Sequence, residues 1–380
     1  ASENLPPAAV ILCLRGADPF LPDCLAGLAG QDYPDYQVTI VIDHEDDPCT
    51  AVVNEFLERS PSDRFEVLFL NDPLKTCSLK VSALIQAIER LDPRYEIVAS
   101  LDADVVASPR WLREMTVPLA ADPRLAASTG IRWFVPAERT LPNLIRRQWN
   151  IGAVVQMYLF DIPWGGSLAI RRSFFNQANL FERWSHCLCE DTPLAAALLQ
   201  QQREIRFVPE AVMINRESIT LPSVFRFIGR QLLFAQLYHP RWFAVQLPGI
   251  LNGFLPLFSL GVCGLAVAKG HPLGWVLAAA IIAHGASQIM QIKLASSAVR
   301  QFLGRRGVEL RKSSLNALTL SASVLSILTQ MWGVARPAFI RTIEWRGITY
   351  RRTRGKEFEL VEYVPYQPTT NDIERSELSI

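Results

Sequence analysis

Short apolar runs alternate with stretches of helical spacing along the first half of the chain. Residues 8–14, 38–42, 65–69 and 97–101 are short, apolar and rich in β-branched side chains, which predicts buried strands. Between them, residues 19–28, 51–59 and 78–91 place apolar side chains at helical intervals, and 194–202 and 222–238 do the same further on. Strand and helix in alternation up to about residue 215 imply an α/β domain, Rossmann-like, with a mostly parallel sheet and helices on both faces.

Beyond residue 215 the pattern changes. Residues 243–268 are almost uncharged and long enough to span a bilayer, with Arg241 and Trp242 as anchors at the entry. A tight turn, Lys269-Gly270-His271-Pro272, leads into a second uncharged run at 273–292, so the two predict a transmembrane hairpin. A third apolar run at 315–334 is diluted by Ser, Thr and Gln. The segment before it carries Arg300, Arg305, Arg306, Arg311 and Lys312 against Glu309, and the stretch 336–356 after it is basic too. Cytosolic retention of basic flanks would hold both on one side, so the third run is re-entrant or interfacial unless the tail is an exception. Three buried helices of a soluble bundle are the alternative, disfavoured by the lack of charge over spanning lengths. The expected organisation is a catalytic domain at 1–215, an amphipathic interface segment at 216–242, a transmembrane region at 243–335, and a basic then acidic tail at 336–380, cytosolic or peripheral.

Composition agrees with a partly lipid-embedded protein. The 380 residues are 49% hydrophobic, and mean hydropathy is +0.15, which excludes a disordered chain. Lys plus Arg number 38 against 37 Asp plus Glu, without the basic surplus that a nucleic-acid binder needs. Seven cysteines without a paired framework indicate reduced thiols facing the cytosol, and Cys187-x-Cys189 finds no second ligand pair for zinc. The first residues, Ala-Ser-Glu-Asn-Leu-Pro-Pro, lack an initiating Met and a signal pattern, which leaves room for a trimmed upstream anchor.

Candidate chemistry gathers after the predicted strands, where open α/β sheets bind ligands. Asp43-His44-Glu45-Asp46-Asp47-Pro48 follows the second strand, and so many carboxylates need a cation or hydrogen-bond donors unless the loop is merely solvated. Asp102 and Asp104 follow the fourth strand, and alternate residues of an extended segment can converge on one Mg²⁺ or Mn²⁺. Glu190-Asp191 opens a helix, so the pair either caps it or supplies, in Asp191, a general base for an acceptor hydroxyl. Trp164-Gly165-Gly166 either brings backbone close to a ligand or makes a tight turn. Lys80 and Arg230 are candidate cations for phosphate, against a solvated lysine and a snorkelling interface arginine.

In this order the landmarks resemble family 2-type inverting glycosyltransferases with a GT-A fold, most of all the ceramide glucosyltransferase group and its bacterial relatives. The closer matches are Asp43 to Pro48, Cys189-Glu190-Asp191 and Trp345-Arg346-Gly347-Ile348-Thr349-Tyr350-Arg351, and the resemblance runs from about Ala8 to Arg352. It implies an integral membrane enzyme, its catalytic domain facing the cytosol, that moves a hexose from a nucleotide-diphosphate sugar, UDP-glucose or similar, to a lipid hydroxyl. A processive polysaccharide synthase and a non-catalytic nucleotide-sugar-binding membrane protein are the alternatives. By position, Asp43, Asp47, Lys80 and Asp102 would hold the nucleotide sugar, Asp102 and Asp104 the divalent cation, and Asp191 and Arg230 would carry catalysis. Trp164, Gly165, Gly166, Glu190 and Gln231 would line the acceptor side or its loop. The family's Arg-Trp pair reads Arg230-Gln231 here, which departs from the pattern and argues against processive synthesis.

Overall fold

The computed structural model describes residues 5–304, 308, 310, 316–353 and 357–367. The first half builds β1 (Ala8–Leu14), α1 (Leu21–Ala29), β2 (Tyr36–Ile42), α2 (Pro48–Arg59), β3 (Phe65–Phe69), α3 (Leu79–Arg90) and β4 (Ile97–Leu101). These are the predicted elements, shifted by a few residues at their ends. Four further stretches lacked a clear period in the sequence: α4 (Trp111–Ala121), β5 (Leu125–Phe134), α5 (Leu141–Phe160) and β6 (Ser167–Arg171). Next come the short α6 (Arg172–Gln177) and α7 (Leu180–Trp184), then α8 (Asp191–Gln200), β7 (Glu204–Asn215) and α9 (Leu221–Tyr238).

The seven strands form one sheet in the order β3-β2-β1-β4-β6-β5-β7. All its pairings are parallel except those of β6, which runs against both β4 and β5. The mostly parallel sheet agrees with the α/β fold class expected from the sequence. Its central strands are buried on both faces, β1 and β4 almost completely, because helices cover each side. One core layer packs Leu21, Leu25, Leu28, Trp111 and Leu112 against the sheet, and the opposite layer packs Val81, Leu84, Ile88, Phe174 and Trp184.

Three long apolar helices follow: α10 (Trp242–Ala268), α11 (Leu273–Gly304) and α12 (Ala317–Ala335). At about 1.5 Å per residue, α10 and α11 both exceed a hydrocarbon core of about 30 Å. Phe243, Phe258, Leu265, Trp275 and Ile282 present large apolar surface outward, as lipid-facing helices do. α11 continues well past the predicted end at 292, because nothing between Ile292 and Gly304 breaks a helix, and Ile292 and Ser296 line a crevice with Leu144 and Ile151 of α5.

The chain then folds back onto the α/β domain. Within the expected tail, β8 (Thr342–Trp345), β9 (Ile348–Arg352) and β10 (Phe358–Leu360) make an antiparallel sheet. Its Ile343, Ile348, Tyr350 and Phe358 share a core with Leu79, Leu188, Leu233 and Phe234. Both flanks of the apolar region therefore pack together, the arrangement that a hairpin of α10 and α11 allows. α12 lies against the catalytic domain: Gln148 donates to the Thr319 carbonyl at 2.9 Å, Trp149 donates to Gln330, and Trp332 meets Phe225 edge-on. Of its polar side chains, Gln330 thus bonds to α5, while the hydroxyls of Ser323 and Thr329 donate to carbonyls of their own helix. Arg305, Arg306, Glu309, Arg311, Lys312, Leu315 and residues 354–356 and 368–380 lie outside the described residues.

Hydrophobic burial is not screened by salt, whereas surface charge attraction is. Washing membranes with high salt and then carbonate should leave the protein in the pellet. Release into the supernatant would contradict a spanning hairpin.

Candidate active site

Strand order reverses at β1, which lies between β2 and β4, and the loops after these three strands open into one crevice. The antiparallel β6 ends its preceding turn at the same place, because Leu101 at the end of β4 pairs with Ser167. The turn Trp164-Gly165-Gly166 is thereby held beside Asp102: Ser100 donates to the Gly165 carbonyl at 2.8 Å, and the Asp102 amide donates to the Gly166 carbonyl at 3.2 Å.

These glycines are required by side chains of the protein itself. A Cβ on Gly165 would stand 1.8 Å from Oε1 of Glu190, and one on Gly166 would stand 2.4 Å from Oδ2 of Asp102. Glu190, 2% exposed, reaches across to Lys80, the second residue of α3. The Lys80 ammonium lies 2.7 Å from both Glu190 Oε1 and Asp102 Oδ1. Burial opposes the charge of Lys80, but the two carboxylates raise its pKa well above the lysine range. Burial likewise opposes ionisation of Asp102, yet Lys80 keeps that carboxyl below its usual range, while Glu190 stays raised by burial. Lys80 is thus a clamp joining α3, the end of β4 and the start of α8.

Asp191 begins α8 beside this clamp. Its Oδ2 accepts from the Gly165 amide at 3.0 Å, and its Oδ1 accepts from the Thr192 amide at 2.6 Å. Asp102 and Asp191 are therefore indexed to neighbouring residues of one turn. Asp104 is fixed from the other side by Asn215 at the end of β7, whose Nδ2 donates to Asp104 Oδ2 at 2.8 Å. Burial and then the charge of Asp102 push the Asp104 carboxyl up to about 7. Its Oδ1 is buried with no hydrogen-bond partner, and Asp102 Oδ2 is left outside the Lys80 contact. A buried, unpartnered carboxylate oxygen next to a second carboxylate fits a hard divalent cation.

The acidic loop after β2 is neutralised mainly by donors of the protein. Arg15, the residue after β1, pairs with Asp43, whose carboxyl is raised by burial against that arginine's pull. Both oxygens of Asp47 accept from the Gly16 amide at 3.0 Å, and Oδ1 also caps α2 through Cys49. Asp47, 2% exposed, therefore closes the β1 loop onto α2. His44 Nε2 accepts from the Tyr366 amide at 3.0 Å, and Tyr363 donates to the Asp43 carbonyl. Asp43, His44 and Asp47 bring ligand atoms within 4.8 Å of one another, and among the described residues they are the one group of at least three such side chains so arranged. Asp43 Oδ1 is buried and unpartnered.

Arg230 faces the crevice from α9, with its guanidinium 5.1 Å from the ring centre of Trp345. Burial, and after it the like charges of Arg132 and Arg346, pull its pKa down to about 10. Gln231 is the next, half-buried position of α9. Arg132 on β5 lies over Trp164, Phe134 and Phe227. Arg15, Arg132 and Asn215 were missed by sequence reasoning. A polar residue at the end of a strand was the signal that could have found Arg15 and Asn215.

A family model described as glycosyl transferase family 21 matches residues 1–358. The chain belongs to that family. As a family 21 member it is a glycosyltransferase, in agreement with the group that the sequence resembled. It is also similar to a mannosyltransferase of Pyrobaculum calidifontis solved with GDP-Man and Mn²⁺, at 15% identity, 88% coverage of each chain and a TM-score of 0.49. A glucosyl-3-phosphoglycerate synthase of Mycobacterium tuberculosis, solved with Mn²⁺, UDP and phosphoglyceric acid, aligns at 12% identity. That alignment covers 60% of this chain and 78% of the synthase, with a TM-score of 0.41.

Proposed function

We propose that this family 21 glycosyltransferase is a membrane-bound inverting enzyme that moves a hexose from a nucleotide-diphosphate sugar, UDP-glucose or a close relative, to a lipid hydroxyl. The observation that carries the reading is the attachment of Asp102 and Asp191 to adjacent residues of one glycine turn, in a chain with helices long and apolar enough to cross a membrane. Asp43, through its unpartnered oxygen, supplies an acceptor for a base N–H, and Asp47 keeps that loop in place. Asp102 and Asp104 would hold a divalent cation, which when bound offsets the charge of the donor diphosphate.

The remaining chemistry belongs to the chain. The acceptor oxygen attacks the anomeric carbon from the face opposite the diphosphate, and its proton passes to the Asp191 carboxylate. The carbon–oxygen bond to the diphosphate breaks with its electron pair staying on the leaving group, and Arg230 balances the charge that develops. One displacement inverts the anomeric configuration. Catalysis beside the bilayer lets an amphipathic acceptor arrive by lateral diffusion, with the catalytic domain on the cytosolic face.

Membranes incubated with a panel of labelled nucleotide sugars should yield label in the lipid extract with one donor, at inverted configuration. Label in a polymer, or none with any donor, would overturn the reading. Chelator should abolish transfer, and Mg²⁺ or Mn²⁺ should restore it. Full activity in excess chelator would remove the cation from Asp102 and Asp104.

A further inference from the structure

The turn between β8 and β9, Trp345-Arg346-Gly347, has no part in the reading above. The strands on either side are anchored: Ile343, Ile348 and Tyr350 are buried, and the Tyr350 hydroxyl accepts from the Leu79 amide at 3.1 Å, one residue from Lys80. The turn residues are not buried with them. Arg346 and Gly347 adopt left-handed backbone at φ 50° and 76°, the geometry of a tight hairpin, and this aims the Arg346 side chain at the crevice. There its guanidinium stands 3.7 Å from Asp18 in the loop after β1, with the side chain about half exposed. Arg15 donates to the Arg346 carbonyl at 2.9 Å and so ties the turn to the β1 loop.

Two more guanidiniums face the same space. Arg230 lies under the Trp345 indole and, among the described residues, makes no ion pair or hydrogen bond. Arg132 lies over three aromatic rings, and its Nε is buried without a hydrogen-bond partner. Of the nearby carboxylates, Asp102 pairs with Lys80 through one oxygen, Asp104 accepts from Asn215 through one oxygen, Glu217 pairs with Arg146 at 3.1 Å, and Asp18 faces Arg346 at 3.7 Å. Three arginines held together with unspent donors suit an anion with several oxygens, and planar guanidinium forks suit phosphate above other anions.

Resting on the glycosyl-transfer reading, we propose that the β8–β9 turn belongs to the donor site: Arg346 and Arg132 join Arg230 in binding the diphosphate, and Trp345 positions the Arg230 guanidinium. The turn brings to the crevice an indole that α9, with Gln231 after Arg230, does not offer. The C-terminal sheet is then a working part of the donor site.

The test is titration of the full-length protein in detergent with UDP, UMP and uridine, and with GDP and GMP in parallel. Arg346→Asn removes the cation and suits the left-handed turn, since Asn tolerates that backbone. A lost charge-assisted contact weakens binding by about 10- to 100-fold. That loss should appear for the nucleoside diphosphate, with the monophosphate affected much less, and Arg132→Gln should repeat the pattern. Arg346→Lys should fall between, and it decides the matter if Arg346→Asn does not fold. Trp345→Phe should lower turnover more than it lowers diphosphate affinity. An unchanged diphosphate-to-monophosphate ratio in the arginine variants would overturn this proposal alone. Failure of the wild-type protein to bind either nucleoside diphosphate would overturn the glycosyl-transfer reading and this proposal together.

Discussion

Asp191→Asn should lower turnover by about 10²- to 10⁴-fold, the contribution expected of a positioned general base, while the nucleotide still binds. The substitution is not neutral for the turn. Both Asp191 oxygens accept from N–H donors, Gly165 on one side and Thr192 on the other, and an amide can offer an oxygen to only one of them. Some loosening of the Gly165 turn is therefore expected, at about 1 kcal/mol for one lost hydrogen bond. Such a loss cannot account for a turnover deficit of three orders of magnitude. Measuring lipid-linked product per unit of folded protein, beside nucleotide affinity and the unfolding midpoint, separates the two effects. Near wild-type turnover with a lowered midpoint would make Asp191 a cap of α8 and nothing more.

The parts of the fold legible in the sequence were those whose periodicity stands alone. β1 and β4 are continuous apolar runs because helices bury both faces, and α3 shows its helical spacing over twelve residues. β7 was hidden because it alternates only partly and pairs irregularly with β5, and α5 because its buried face carries Asn143, Arg146, Gln148 and Asn150. The candidate site followed the same logic. Asp102, Asp104 and Asp191 could be found because carboxylates after strands and at helix starts stand out locally. Lys80 stood out as a cation, but its two ion-pair partners were not legible, since they lie 22 and 110 positions away. Arg132 was invisible for the same reason: three aromatic rings around a guanidinium form only once β5, α9 and the Trp164 turn have been brought together.

Lys80→Met tests that clamp with the largest stability change expected of any single substitution considered. Methionine keeps the unbranched shape and much of the volume of the lysine stem, so packing around α3 changes little. What disappears is the ammonium that lies 2.7 Å from both Asp102 and Glu190. Glu190 is then left buried with no cation beside it, and its ionised form has no solvent to turn to. Removing one partner of a buried ion pair costs roughly 3 to 5 kcal/mol, most of it from the charge left behind. The unfolding midpoint of the detergent-solubilised protein should fall accordingly, and transfer should fall with it as the Gly165 turn loses its support. Adding Glu190→Gln to Lys80→Met should recover part of the loss, because the orphaned charge is then absent, and the coupling in this double-mutant cycle should exceed about 1 kcal/mol. A lysine that served only the donor phosphates would behave in the opposite way, with nucleotide affinity reduced, the midpoint unchanged, and no coupling to Glu190.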